Sequence, residues 1–302
     1  MKRKSLIKRY RIDKPKKFTL SDCDPADTLD LDIDKSEAKA ILADDSKQLA
    51  KMQELLYAQN RWALLIVLQG MDAAGKDSVI EHVMSGINPQ GCEVHSFKKP
   101  SEEELAHDFL WRSTVRLPAR GKIGIFNRSY YEEVVVVRVH PELLERQHLP
   151  PEVVSKNIWR QRYEDINTFE RHLTASGTVV LKFFLHISKE EQRRRFLQRL
   201  DDPAKRWKFS MNDVEERRLW NDYMETYEDV IRRTSTDEAP WHVVPADNKW
   251  FTRLVVAATM IDALDRLNLQ FPKIEGPLLE EMNKVKQALE ANRQPKSGQK
   301  KG

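Results

Sequence analysis

Residues 70–77 read Gly-Met-Asp-Ala-Ala-Gly-Lys-Asp, and they join two segments of different periodicity. Before them, Trp62 to Leu68 (WALLIVL) is a short apolar run rich in branched residues, the pattern of a strand buried on both faces of a parallel sheet. After them, Val79, Ile80, Val83 and Met84 mark the apolar face of a helix. A glycine-containing loop between a buried strand and an amphipathic helix restricts the chain to an α/β architecture. The loop has the form G-x-x-x-x-G-K of a Walker A sequence, with Asp77 where Ser or Thr usually stands. Its glycines let the backbone at Gly70, Ala73, Ala74 and Gly75 curl so that N–H groups converge on phosphate oxygens. The following helix adds its positive end, and Lys76 adds a point charge. The bare pattern recurs by chance; the strand before it and the helix after it give it weight.

Asp77 and Asp72 put carboxylates into a loop built for polyanions, an unfavourable arrangement unless a metal or a proton donor compensates. Asp77 is expected to ligate a metal directly or through water, since hard oxygen ligands suit Mg²⁺. Asp72 is expected to serve a metal or to position an acceptor.

Further strands are expected at 123–126 (IGIF), 178–187 (TVVLKFFLHI) and 241–244 (WHVV), separated by helical patterns. One runs through Trp159, Tyr163, Ile166, Phe169 and Leu173, a second through Leu219, Tyr223, Tyr227 and Val230, and a third through Leu254, Ala258, Ile261 and Leu264. Strands alternating with helices predict a doubly wound α/β sheet. A helix from Lys35 to Asn60, with Leu49, Met52, Leu55, Leu56 and Gln59 on one stripe, leads into the first strand.

No Pro/Gly/Ser-rich linker interrupts the middle of the 302 residues, so a single large domain over 35–272 is expected, with a charged arm at 1–34 and a polar tail at 273–302. Residues 1–17 hold nine Lys/Arg, and Ser21 to Asp34 hold six Asp; these opposite blocks predict an extended arm, which can wrap the domain. A helix fraying at PKSGQKKG is expected after Pro277. The overall balance, 51 − 47 = +4, is too mild to announce a nucleic-acid binder. Two cysteines supply neither a disulfide framework nor a Cys-rich zinc site, which suits a reducing cytoplasm. The basic N-terminus is not followed by an apolar run of signal-peptide or membrane-spanning length, so a cytoplasmic protein without membrane association is expected.

After IGIF comes Asn127-Arg128-Ser129-Tyr130-Tyr131-Glu132-Glu133, at the crevice beyond the carboxyl ends of the strands. Arg128 would neutralise a transferring phosphoryl group, and Asn127 would hold a metal-bound water. A basic helical segment over about 189–211 carries Arg193, Arg194, Arg195, Arg199, Lys205, Arg206 and Lys208, the composition of a lid over phosphates. A solvated face explains part of it equally well, with Arg194 or Arg195 purely structural. Lys98, Lys99, Arg112, Arg116 and Arg120 flank the strand expected at 123–126, and Arg138 follows it. So many cations around one loop exceed what a nucleotide needs and point to a longer polyanion. The eight histidines show no zinc-like spacing, and no G-x-S-x-G elbow occurs. Trp207, between Arg206 and Lys208, is a candidate for stacking on a base.

Together these segments resemble the second family of polyphosphate kinases, P-loop phosphotransferases similar in fold to thymidylate kinase. The resemblance runs from about Lys35 to Pro272. It rests on GMDAAGKD at 70–77, GINPQG at 86–91, SFKKPSEEELAHDFLWR at 96–112, FNRSYYE at 126–132, VVRVHPE at 136–142, LKFFLHISKEEQRRRF at 181–196, WKFS at 207–210 and PADNKWFTR at 245–253. It implies a P-loop kinase-like three-layer sandwich with a parallel sheet and a helical basic lid. The implied activity is reversible phosphoryl transfer between inorganic polyphosphate and a nucleotide, AMP or ADP and by extension GMP or GDP, with Mg²⁺ or Mn²⁺, in a homo-oligomer (dimer or tetramer). By the same resemblance Lys76 takes the Walker A position, Asp72 the position tied to metal and acceptor activation, and Arg128 a phosphate clamp. Arg112, Arg193 and Lys208 fall in the family's basic channel and lid; Lys98, Arg138 and Arg199 are further candidate phosphate contacts from the residue pattern alone. Many members have Asp-Arg-Ser where this chain has Asn127-Arg128-Ser129; the Asn form resembles the subgroup that accepts both mono- and diphosphates, and it puts direct metal ligation at residue 127 in question. Two other functions compete: an ATP-dependent nucleoside monophosphate kinase, and a nonenzymatic polyanion binder, against which Asp72 and Asp77 count.

Overall fold

In a computed structural model, which describes residues 3–31 and 33–291, five parallel strands form one sheet. They are β1 (Ala63–Gln69), β2 (Cys92–Ser96), β3 (Ile123–Asn127), β4 (Thr178–His186) and β5 (Trp241–Pro245), in the order β2-β3-β1-β4-β5. All seven residues of β1 are buried, as its unbroken apolar run requires of a central strand covered on both faces. The principal helices are α1 (Arg3–Tyr10), α2 (Lys35–Gln59), α3 (Lys76–Val83), α4 (Ile158–Ala175), α5 (Lys189–Asp201), α6 (Met211–Arg218), α7 (Trp220–Thr234), α8 (Lys249–Asp265) and α9 (Pro277–Ala291). Helix α8 packs on α1, α2 and α3 and against β4 and β5, while α4 packs against β4 and α7. No described helix is long and apolar enough to cross a membrane.

The helix expected at 35–60 is α2, and its limits have local causes. Asp34 accepts from the backbone of Ser36 and Glu37 while Glu37 reaches back to the Asp34 N–H, a capping box; Asn60 ends the helix in a left-handed conformation. The strand β2 was not expected. Its sequence, Cys-Glu-Val-His-Ser, carries no apolar run because it lies at the sheet edge, partly open to solvent.

The basic N-terminal block is also not extended. It forms α1, whose Leu6, Ile7 and Tyr10 are buried, and Arg11 then bridges to His242 beside β5. Residues 20–30 follow as a short 3-10 helix and turns, and the Leu20 N–H ahead of the acidic block donates to Glu228 of α7 at 2.7 Å. The helix expected after Pro277 is α9; PKSGQKKG lies outside the described residues.

Register places the loops. Leu68 of β1 stands beside Asn127 of β3, and Gln69 beside Phe184 of β4. The loop from 70 to 75 and the turn after Asn127 therefore leave the same carboxyl edge next to each other, the crevice position of an open parallel sheet.

Candidate active site

The loop after β1 is shaped by three residues at positive φ: Gly70 (+151°), Ala73 (+63°) and Gly75 (+108°). At Gly70 a side chain is excluded twice over, since a Cβ there would lie 2.8 Å from the Leu185 carbonyl oxygen of β4. Gly75 caps α3 and delivers Lys76 to its first turn. Lys76 is 9% exposed, and its Nζ donates to the carbonyls of Gly70 at 2.7 Å and Met71 at 3.2 Å. Burial, reinforced by the nearby Arg128 charge, lowers its pKa to about 8.

The underside of the loop is held from α5. The buried Arg195 guanidinium donates to the carbonyls of Ala73 and Ala74 on one side and of Ala246 and Asp247 on the other, while its Nε donates to Glu191. One planar cation thus ties the phosphate loop to the chain after β5, using the fork geometry that lysine lacks. Gln192, a helical neighbour, donates to the Asp72 carbonyl at 3.0 Å.

The turn after β3 supplies the facing wall. Arg128 adopts φ +64°, rare for a side chain with a Cβ, and its N–H donates to the Leu68 carbonyl of β1 at 3.0 Å. Its guanidinium bridges Asp72 Oδ1 at 2.5 Å and Glu132 at 2.9 Å, and these carboxylates hold the guanidinium firmly protonated, Glu132 most of all. The strained conformation is held from below. Ser129 Oγ accepts from the Tyr131 N–H and from Gln69, and the Tyr130 and Tyr131 hydroxyls both donate to Glu170 of α4 at 2.8 Å. Glu170 is neutralised in turn by the fully buried Lys182 of β4 at 2.6 Å. Asn127 donates through its amide nitrogen to Asp77 Oδ1 at 2.6 Å, joining the two loops a second time.

The profile of the family described as Polyphosphate kinase 2 matches residues 32–272. The chain belongs to the polyphosphate kinase 2 family. It is 50% identical over 256 residues to an ADP-polyphosphate phosphotransferase of Rhodopseudomonas palustris, covering 84% of this chain and 89% of that one. It is 46% identical to an AMP/ADP-polyphosphate phosphotransferase of Meiothermus ruber, over 89% of this chain and 97% of the relative. The crystal structure of polyphosphate kinase 2 from Arthrobacter aurescens superposes with a TM-score of 0.85 at 40% identity, over 93% of this chain and 96% of that one. The P-loop kinase-like α/β fold expected from the sequence is the fold found.

In this polyphosphate kinase 2 family member, the fold brings Asp72, Lys76, Asp77, Asn127 and Arg128 together at one carboxyl edge. It treats the other expected cations differently. Arg112 is buried and committed to the Lys98 carbonyl and to Glu133, and Arg138 is ion-paired with Asp229 beside Tyr163, so neither guanidinium is a free cation. Arg193 pairs with Glu190, and Arg199 lies 3.5 Å from Asp213. Lys98 is exposed, as is Lys208, whose Nζ sits 5.1 Å from the centre of the outward-facing Trp207 ring.

Sequence reasoning passed over Glu132, Gln192 and Asp213, and left Arg195 undecided between lid and scaffold. Asp213 of α6 feels both Asp72 and Arg128, and burial followed by the Asp72 charge raises its pKa. Among the described residues no three His, Cys, Asp or Glu side chains gather as a metal cage. The donors at the loop mouth, the Asp72 and Asp77 carboxylates and the Asn127 amide oxygen, instead suit a hard cation that keeps water and takes its remaining ligands from phosphates.

Proposed function

We propose that this protein transfers the terminal phosphoryl group of inorganic polyphosphate to AMP and to ADP, reversibly. The observation that carries this reading is the Asp72–Arg128 pair spanning the mouth of the phosphate loop: a carboxylate and a clamp for phosphoryl oxygens face each other where the loop would present the end of a polyphosphate chain. The names of the Rhodopseudomonas and Meiothermus relatives, ADP-polyphosphate and AMP/ADP-polyphosphate phosphotransferase, support the donor and both acceptors.

A phosphate oxygen of the nucleotide attacks the terminal phosphorus in line, the bridging P–O bond breaks, and the shortened chain leaves as the anion. Both reactants are anionic, so the protein contributes position and neutralising charge. The loop N–H groups and the Lys76 ammonium, released from the Gly70 and Met71 carbonyls, hold the donor phosphates. Arg128, kept rigid by Glu132 and its φ of +64°, faces the equatorial oxygens. Asp72 orients the acceptor phosphate through Arg128. Asp72 and Asp77, with Asn127 acting through water, would hold a divalent cation, Mg²⁺ or Mn²⁺, which would supply neutralising charge to the phosphates. Helix α5 stays fixed beneath the loop through Arg195, and the basic stretch that follows it, 202–211, closes over the polyphosphate with Lys208 on its path. Asn127 in place of a third acid keeps the acceptor side less negative, which suits the diphosphate as well as the monophosphate.

The test is product identification after incubating AMP and ADP separately with polyphosphate and Mg²⁺. ATP from ADP and ADP from AMP support both acceptor activities; ATP from ADP alone rejects dual acceptance.

A further inference from the structure

Lys182 stands in the middle of the apolar strand β4, fully buried, between Val67 of β1 and Trp241 of β5. Its ammonium donates to Glu170 Oε2 of α4 at 2.6 Å, to the Tyr131 hydroxyl at 2.9 Å and to the Thr234 carbonyl at the end of α7 at 2.6 Å, which engages all three of its N–H groups. The other oxygen of the buried Glu170, Oε1, accepts from the Tyr130 and Tyr131 hydroxyls, and burial keeps both phenols protonated as those donors. For the fold alone, apolar side chains of similar volume are often as stabilising, because desolvating an ammonium and a carboxylate offsets most of their attraction. What the ionic cluster adds is direction: each hydroxyl is fixed on one oxygen of a carboxylate that Lys182 holds in place.

Tyr130 and Tyr131 lie two and three residues after Arg128, in the turn whose backbone holds Arg128 at φ +64°. Glu132, the next residue, bonds the same guanidinium at 2.9 Å. The hydroxyl anchors therefore fix both the root of Arg128 and the carboxylate that steers it. We propose that Tyr130 and Tyr131 are positioning residues for the phosphoryl transfer: anchored on the Glu170–Lys182 pair, they aim the Arg128 guanidinium at the transferring group. The assignment rests on the proposed reaction and extends it to a buried cluster that touches no substrate.

The experiment uses the full chain and the single-turnover rate of transfer from polyphosphate to ADP. Glu170→Leu or Lys182→Met alone would strand a buried ion and destabilise the fold, so the hydroxyls are removed instead. Tyr130→Phe and Tyr131→Phe are each expected to slow transfer about tenfold, the effect of a slightly misplaced clamp, with KM for polyphosphate and for ADP within about twofold of wild type. In an Arg128→Ala background the same substitutions are expected to change the rate by less than about twofold, because the group they aim is gone. A lowered melting temperature with an unchanged rate would make the tyrosines merely structural, and a loss that persists in full without Arg128 would place their action elsewhere; either result overturns the proposal. A wild type that transfers nothing from polyphosphate would reject the reaction itself, and the proposal with it.

Discussion

Arg128 reaches Asp72 across 2.5 Å between two loops that leave adjacent strands, and it does so from a left-handed backbone position. The geometry separates the side chain's function from the backbone's strain. Arg128→Ala and Arg128→Gly should both lower kcat by at least about 100-fold, the scale of a lost transition-state charge contact. Arg128→Gly should nonetheless be more stable than Arg128→Ala by about 1 kcal/mol, because glycine relieves the positive φ. Denaturant titration of the two variants measures the difference; equal stabilities would mean that the conformation is not strained.

Lys76 is expected to impose a pH limit. Its pKa, lowered to about 8 by burial, means that the ammonium is present below that pH and lost above it. For capture by free enzyme, kcat/KM for polyphosphate should fall about tenfold per pH unit above this point. The fall in kcat should come at higher pH, since bound phosphates stabilise the charged form. Profiles from pH 6 to 10 test this, and a flat kcat/KM through pH 10 would remove Lys76 from donor binding. Lys76→Ala should abolish turnover without unfolding the chain.

The loop depends on what lies behind it. Gly70→Ala would force a Cβ to 2.8 Å from the Leu185 carbonyl at a φ of +151°, and should destabilise the protein by at least about 2 kcal/mol. Arg195→Lys removes the fork that serves four carbonyls and should cost about 3 kcal/mol by breaking a buried charge network. Both should raise KM for polyphosphate. Unchanged melting temperature and KM in Arg195→Lys would show that the brace is dispensable.

Lid contact with the polyanion is best read at Lys208, which is exposed and not held by a carboxylate at its own turn. Lys208→Ala should raise KM for polyphosphate several-fold and KM for nucleotide little, and wild-type polyphosphate affinity should fall with salt. Equal loss for both substrates would assign the residue to general closure.

The central strand and the main helices were legible from their apolar patterns and the phosphate loop from its motif: WALLIVL is a short branched apolar run ended by Gln69 and Gly70, and the stripes of α4, α7 and α8 repeat at helical spacing. Edge strand β2 was not legible, since a half-exposed strand of five residues has no such run. The basic arm was misleading for a related reason: charge dominates its composition, yet Leu6, Ile7 and Tyr10 suffice to dock one short helix. Within the site, Asp72, Lys76 and Arg128 stood out by motif. Arg195 did not separate from Arg193 and Arg194, because helix phase relative to the sheet decides which of three consecutive arginines turns inward. Arg112 and Arg138 looked like free cations because Glu133 and Asp229, their partners, lie 21 and 91 residues away in the chain.

The most direct test of the proposed activity is nucleotide analysis of purified protein given AMP, inorganic polyphosphate and Mg²⁺ with ATP excluded, beside a Lys76→Ala control. The predicted result is ADP followed by ATP, with neither in the control. Absence of ADP under these conditions, with rapid ADP formation once ATP is supplied with AMP, would contradict polyphosphate as the donor.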